Sequence, residues 1–102
     1  MAFSSYQLRD LRQRLLADEE KREAAGSSND RTIAVFVIVR LCEQVEEYLE
    51  VFAPVTIDLH NHVERTAVAP LQRLSARLLS GETVKSEELV AAIRAVRSLQ
   101  AQ

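Results

Sequence analysis

Residues 32–52 read TIAVFVIVRLCEQVEEYLEVF, and the spacing of their apolar side chains decides the fold. Ala34, Ile38, Leu41, Val45, Tyr48 and Phe52 recur at alternating intervals of four and three. That spacing keeps one seam of a helix turned toward a second helix. Ile33, Val35, Phe36, Val37 and Val39 are apolar as well, so the first half of this helix is apolar on every side. Such a helix needs cover on every side. The β-branched residues from Thr32 to Val39 also suit a strand, but no second strand segment exists to pair with it, and a lone strand does not stand in water. A short chain has few elements with which to cover the helix. The seam from Ala34 to Phe52 is therefore expected to form the interface of an intertwined homodimer.

Upstream, Phe3-Ser4-Ser5-Tyr6-Gln7-Leu8 reads as a helix start. Ser4 and Gln7 make a capping box, with Phe3 and Leu8 as a hydrophobic staple. Leu8, Leu11 and Leu15 form a narrow stripe with Leu16 beside it, a candidate contact for a partner protein. Asp18 to Glu23 is polar throughout, so this first helix, Ser5 to about Glu23, is expected to run out into solvent and to be the least firmly attached element. Residues 24–30 are the one clear linker, with Gly26 suited to end the first helix and Ser28 or Asp30 to cap the second.

Downstream, Pro54 separates the second helix from a third. Leu59, Val63, Ala67, Leu71, Leu74 and Leu78 form its stripe, which continues on both sides of Pro70. Pro70 is therefore expected to bend the helix rather than end it. Ser80-Gly81 closes it. Ser86 is placed to cap a last helix lined by Leu89, Ala92, Ile93, Val96 and Leu99. The fold class is all-α: one four-helix, bundle-like domain over residues 1–102 whose two central helices form an antiparallel hairpin. Two helices of about 22–25 residues are long for a monomer core with a radius of gyration near 13 Å, which again favours a paired bundle.

Composition narrows the function classes. The chain has 102 residues, 27% of them charged, and a net charge of −2. No segment has the basic excess that phosphate neutralisation requires, so nucleic acid is not expected as a partner. Five aromatics and no Trp leave little for stacking on bases. The single cysteine, Cys42, excludes an intrachain disulfide and reads as a small buried hydrophobe, which fits the cytoplasm. The first ten residues lack a signal-peptide layout, and the longest apolar run, Ile33 to Val39, is far shorter than a bilayer span, so no membrane association is expected.

The polar chemistry concentrates in Asp58-Leu59-His60-Asn61-His62-Val63-Glu64. On a helix, His60 and His62 point to opposite sides and cannot share one ion. Asp58 with His62, and His60 with Glu64, each offer two ligands where zinc takes three or four. No metal and no cofactor are therefore expected. His60 belongs half-buried beside Glu64, and His62 falls on the wet side, where an exposed imidazole can accept a phosphoryl group. The segment from His62 to Thr66 shares its His, Arg and Thr with the phosphoacceptor box of sensor histidine kinases. It lacks the acidic residue directly after the histidine, and its proline comes only at Pro70, so it supports no family assignment. Arg40 interrupts the apolar run and must either snorkel outward or pair with an acid from another helix. Nothing resembles an oxyanion loop or a glycine-rich phosphate loop.

The function expected by elimination is that of a small helical protein–protein interaction protein, a regulator, inhibitor, adaptor or chaperone without enzymatic activity. It would pair with itself and with an unidentified partner protein. The alternatives are a phosphotransfer or metal-dependent bundle using His62 or His60, and a DNA-binding regulator whose last two helices form a helix-turn-helix.

Overall fold

The computed structural model describes residues 5–26, 28–52 and 54–101, and of Ser5 and Tyr6 only the backbone. The capping box at Ser4 and the staple at Phe3 lie outside the described residues. The order is α1 (Ser5–Ala24), α2 (Asn29–Val51), α3 (Ile57–Val63), a π-helical turn (Glu64–Val68), α4 (Ala69–Leu79) and α5 (Ser86–Gln100). No strand occurs among the described residues.

The caps follow elementary hydrogen-bond needs. Gly26 takes φ +91°, a left-handed conformation that closes α1 at no steric cost. The Ser28 hydroxyl accepts from the Arg31 N–H at 3.3 Å and opens α2. Thr56 does the same for α3, accepting from the Leu59 N–H at 3.2 Å. At α5 the cap is Lys85 and not Ser86, which is the first helical residue; the Lys85 N–H donates to the Glu88 carboxylate at 2.9 Å.

The third helix passes Pro70 without a loop. Its backbone keeps right-handed helical angles across Glu64 and Ala69. Pro70 has no N–H to give, and its ring crowds the carbonyl four residues earlier, that of Thr66. The chain absorbs both by widening one turn just before the proline, where the Ala69 N–H reaches back five residues to the Glu64 carbonyl. The extra residue brings Val68 into the core beside Ala67. Ser75 is also fully buried, and its hydroxyl donates to the Leu71 carbonyl at 2.6 Å.

The second helix is central and packs against α1, α4 and α5. Leu8 and Leu15 of α1, Leu71 and Leu78 of α4, and Val96 and Leu99 of α5 are all essentially inaccessible to water. They meet Ala34, Ile38, Leu41 and Val45, so four of the six seam residues are buried in the chain's own core. Tyr48 is half-buried and Phe52 is exposed. Cover expected from a second copy is thus supplied by the same chain. Two long rods fit one chain because the bundle is elongated, 43 × 25 × 18 Å with a radius of gyration of 13.7 Å. The candidate partner stripe on α1 likewise turns inward, with Leu8 and Leu15 buried and Leu11 half-buried.

The polar half of α1 does not run out into solvent. Glu19 is only 2% exposed, and its carboxylate accepts from the Thr32 hydroxyl at 2.5 Å. Arg31 Nη2 donates to Asp18 at 2.9 Å and to the Leu78 carbonyl at 2.5 Å, while its Nε lies 3.5 Å from Glu19. Arg22 donates to Asp18 at 2.7 Å and to the Leu79 carbonyl at 3.3 Å. Two guanidinium groups therefore satisfy the open carbonyls at the C-terminus of α4, where the helix dipole favours cations. Nearer the other end of α1, Arg12 grips Glu46 through two contacts of 2.8 and 3.3 Å. Glu46 is buried, although Glu47 and Glu50 beside it are exposed.

Candidate interaction surface

With α1, α4 and α5 in place, one side of α2 remains open. Ile33 and Phe36 stand there, in the first two turns, at 58% and 51% exposure, large for apolar side chains within a helix. They line a groove of about 480 Å³ with Val37, Arg40, Ile93 and Arg97. At one end Ile33 continues into a second groove of about 470 Å³ against Val84, Lys85 and Leu89. At the other end Gln44 continues into a third of about 260 Å³, lined by Tyr48, Val51, Phe52 and Gln100. The three form one channel along α2 and α5, which run in the same sense. The middle groove is mostly apolar, the groove at the Ile33 end carries Asp30, Lys85, Ser86 and Glu87, and the groove at the Phe52 end mixes apolar with polar side chains. The Tyr48 and Phe52 rings lie 4.7 Å apart at 40°, so the Phe52 end carries a preformed aromatic pair.

Helix periodicity makes this strip. Ile33, Val37, Arg40, Gln44 and Glu47 recur at intervals of four and three, with Phe36 beside them, on the side opposite Ile38 and Cys42. Arg40 takes the outward course, with Nη1 at 3.7 Å from Glu43 and 3.9 Å from Glu47 of its own helix. These contacts are long and exposed, so they hold Arg40 only weakly.

The other candidate residues stay apart from this strip. His60 Nδ1 lies 3.7 Å from Glu64 on α3 and the π turn, and the imidazole is half-buried as its position on the stripe predicts. His62 is half-buried rather than fully wet, and Asp58 is exposed. Among the described residues no three His, Cys, Asp or Glu side chains gather closely enough to hold a metal ion. Burial pushes the Cys42 thiol up to about 12, with Glu46 adding to the effect, so the thiolate a nucleophile needs is not formed at neutral pH. At the start of α5, where a recognition helix would meet DNA, Glu87 is exposed and Glu88 is held by Arg77 of α4. Arg77 also donates to the Thr83 carbonyl at 2.8 Å, fixing the turn between the helices. Among the described residues no helix is long and apolar enough to cross a membrane.

The chain matches no protein-family model, no curated protein and no solved structure. The functional reading therefore rests on the surface itself.

Proposed function

We propose that the protein is a small helical protein–protein interaction protein that binds through the outer strip of α2 and the adjoining edge of α5. It acts by occupying a surface and not by turning over a substrate. The observation that carries this reading is the pair Ile33 and Phe36, more than half exposed in the first two turns of a helix whose opposite face is buried. Contiguous apolar area rimmed by polar groups is the usual mark of a protein-binding site. Here the rim is Arg40, Gln44 and Arg97. The inward placement of Cys42 supports binding over nucleophilic catalysis.

The test is a differential one. Ile33→Glu/Phe36→Glu alters only exposed positions, so the variant keeps the helical content of the native chain. Crosslinking in the native cell, followed by mass spectrometry, is expected to recover partner proteins with the wild type and to lose them with the variant. Recovery of the same proteins with both, at equal yield, would overturn the assignment of the strip.

A further inference from the structure

We infer that the outer strip of α2 is closed by the same strip of a second copy, with the two α2 helices antiparallel about a twofold axis midway between Arg40 and Gln44. This rests on the reading of the strip as an interaction surface and goes beyond it by naming the occupant and its register.

The argument is one of self-complementarity. Along α2 itself the strip carries apolar residues toward each end, with Arg40, Gln44 and Glu47 between them. Ile33 and Phe36 form one patch; Val51, 77% exposed, and the Tyr48–Phe52 pair form the other. An antiparallel twofold centred between residues 40 and 44 places Ile33 opposite Val51 of the second copy and Phe36 level with its Tyr48. Ile33 and Val51 thereby cover each other across the copies, with Phe36 and Tyr48 on opposite flanks of that contact. In the same register Arg40 lies opposite the second copy's Gln44 and one helical turn from its Glu47. A turn is about 5.4 Å, within reach of an arginine side chain.

Charge selects this orientation over the parallel one. In a parallel pair Arg40 would face Arg40, Glu43 would face Glu43 and Glu47 would face Glu47, and like charges directly opposed are unfavourable. The antiparallel pair separates the two Arg40 side chains by four residues along the helix and brings each closer to the other copy's Glu47, three residues away. Arg40 and Glu47 now hold each other at 3.9 Å with most of each side chain in water, so little is given up when they exchange partners. The size is also adequate. Twenty-three residues make a rod of about 35 Å, and with the edge of α5 the face is about 20 Å wide, on the order of 700 Å² per copy. A stable pair buries about 800 Å² per partner. The contact is isologous, as a twofold requires.

Two opposite charge reversals test the register. Arg40→Glu and Glu47→Arg each put like charges across both symmetric contacts, so each variant alone should self-associate at least tenfold more weakly than the wild type by sedimentation velocity. Mixed in equal amounts, the two variants restore opposite charges at both contacts. At one, the introduced carboxylate meets the introduced guanidinium; at the other, the unchanged Glu47 of the first variant meets the unchanged Arg40 of the second. The mixture should therefore form a heterodimer close to wild-type strength, visible by native mass spectrometry. The double variant Arg40→Glu/Glu47→Arg in one chain should also pair. Both positions are exposed, and circular dichroism checks that the fold is kept. Single variants that pair like the wild type, or a mixture that does not recover, would overturn the register. A wild type that stays monomeric at about 100 μM would overturn the second copy as occupant. That outcome leaves the strip itself to be judged by the crosslinking of the Ile33→Glu/Phe36→Glu variant, so the two failures are distinguishable.

Discussion

Ile38 and Phe36 stand two residues apart on α2, both large and apolar, yet Ile38 is fully buried and Phe36 is half exposed. Ile38 faces the side on which the chain supplies α1, α4 and α5 as neighbours. Phe36 faces the side on which it supplies none but the edge of α5. Hydrophobicity alone assigns neither fate, because residues 33–39 are apolar without a break. The residues that follow on each face decide it. Ile38 is continued by Leu41, Cys42, Val45 and Leu49, whereas Ile33 and Phe36 are continued by Arg40, Gln44 and Glu47. A face whose second half is charged is one the fold leaves in water, and the apolar residues at its head are then available to another molecule.

Ile38→Asp should break the inner face outright. A buried carboxylate with no cation near it costs several kcal/mol, and a loss of more than about 4 kcal/mol is expected, read as failure to fold or as a greatly lowered urea midpoint. Arg31→Ala comes next. It takes the Arg31 guanidinium away from buried Glu19 and removes the donor that satisfies the Leu78 carbonyl. Breaking one side of a buried pair costs about 3–5 kcal/mol, and the same urea titration checks it. On the outer face, Phe36→Glu should change the stability of the isolated chain by no more than about 0.5 kcal/mol while abolishing self-association. A large stability loss at micromolar dilution, where no dimer contributes, would show that Phe36 belongs to the core.

The charged knot also sets a pH dependence. The Arg22 guanidinium, with Arg31 beside it, holds the Asp18 carboxyl below the usual carboxylate range. A carboxyl whose folded pKa is depressed contributes stability that is complete above its unfolded value, near 3.9, and is lost as pH falls through the lower folded value. Urea midpoints should therefore hold from neutrality to about pH 5 and fall below about pH 4. Asp18→Asn should be less stable at neutral pH and lose less over that acid window than the wild type. The Cys42 thiol, by contrast, should be silent. With its pKa pushed up to about 12, it should react with a disulfide reagent at mildly alkaline pH only through unfolding, and native and unfolded chains should differ by orders of magnitude in rate.

Much of the fold was legible in the sequence. Stripes at intervals of three and four located all four helical segments, and Gly26, Ser28 and Gly81 marked their ends, because periodicity and turn chemistry are local. The passage of the third helix through Pro70 followed from a stripe that resumes after it. Two things were not local. The placement of Glu19, Glu46 and Arg31 depends on which helices meet. Asp18, Glu19 and Arg22 do continue the line of Leu8, Leu11 and Leu15, but only the fold shows that this line runs under α2 and α4. The seam from Ala34 to Val45 looked like an interface because its spacing suits any helix partner, whether in the same chain or another. The outer strip carried its own signal in Arg40, Gln44 and Glu47, which share the face of Ile33 and Phe36.

The most direct measurement compares the two faces in one sample. Hydroxyl-radical footprinting of the wild type, at low micromolar concentration and again near 100 μM, reads side-chain exposure residue by residue. At low concentration Ile33 and Phe36 should be oxidised readily, while Ile38 and Val45 should be protected. At high concentration Ile33 and Phe36 should become protected, together with Val51, and Ile38 and Val45 should not change. Protection of Phe36 at every concentration, or oxidation of Ile38 and Val45 in the dilute chain, would contradict the account by showing that the chain does not close its own inner face.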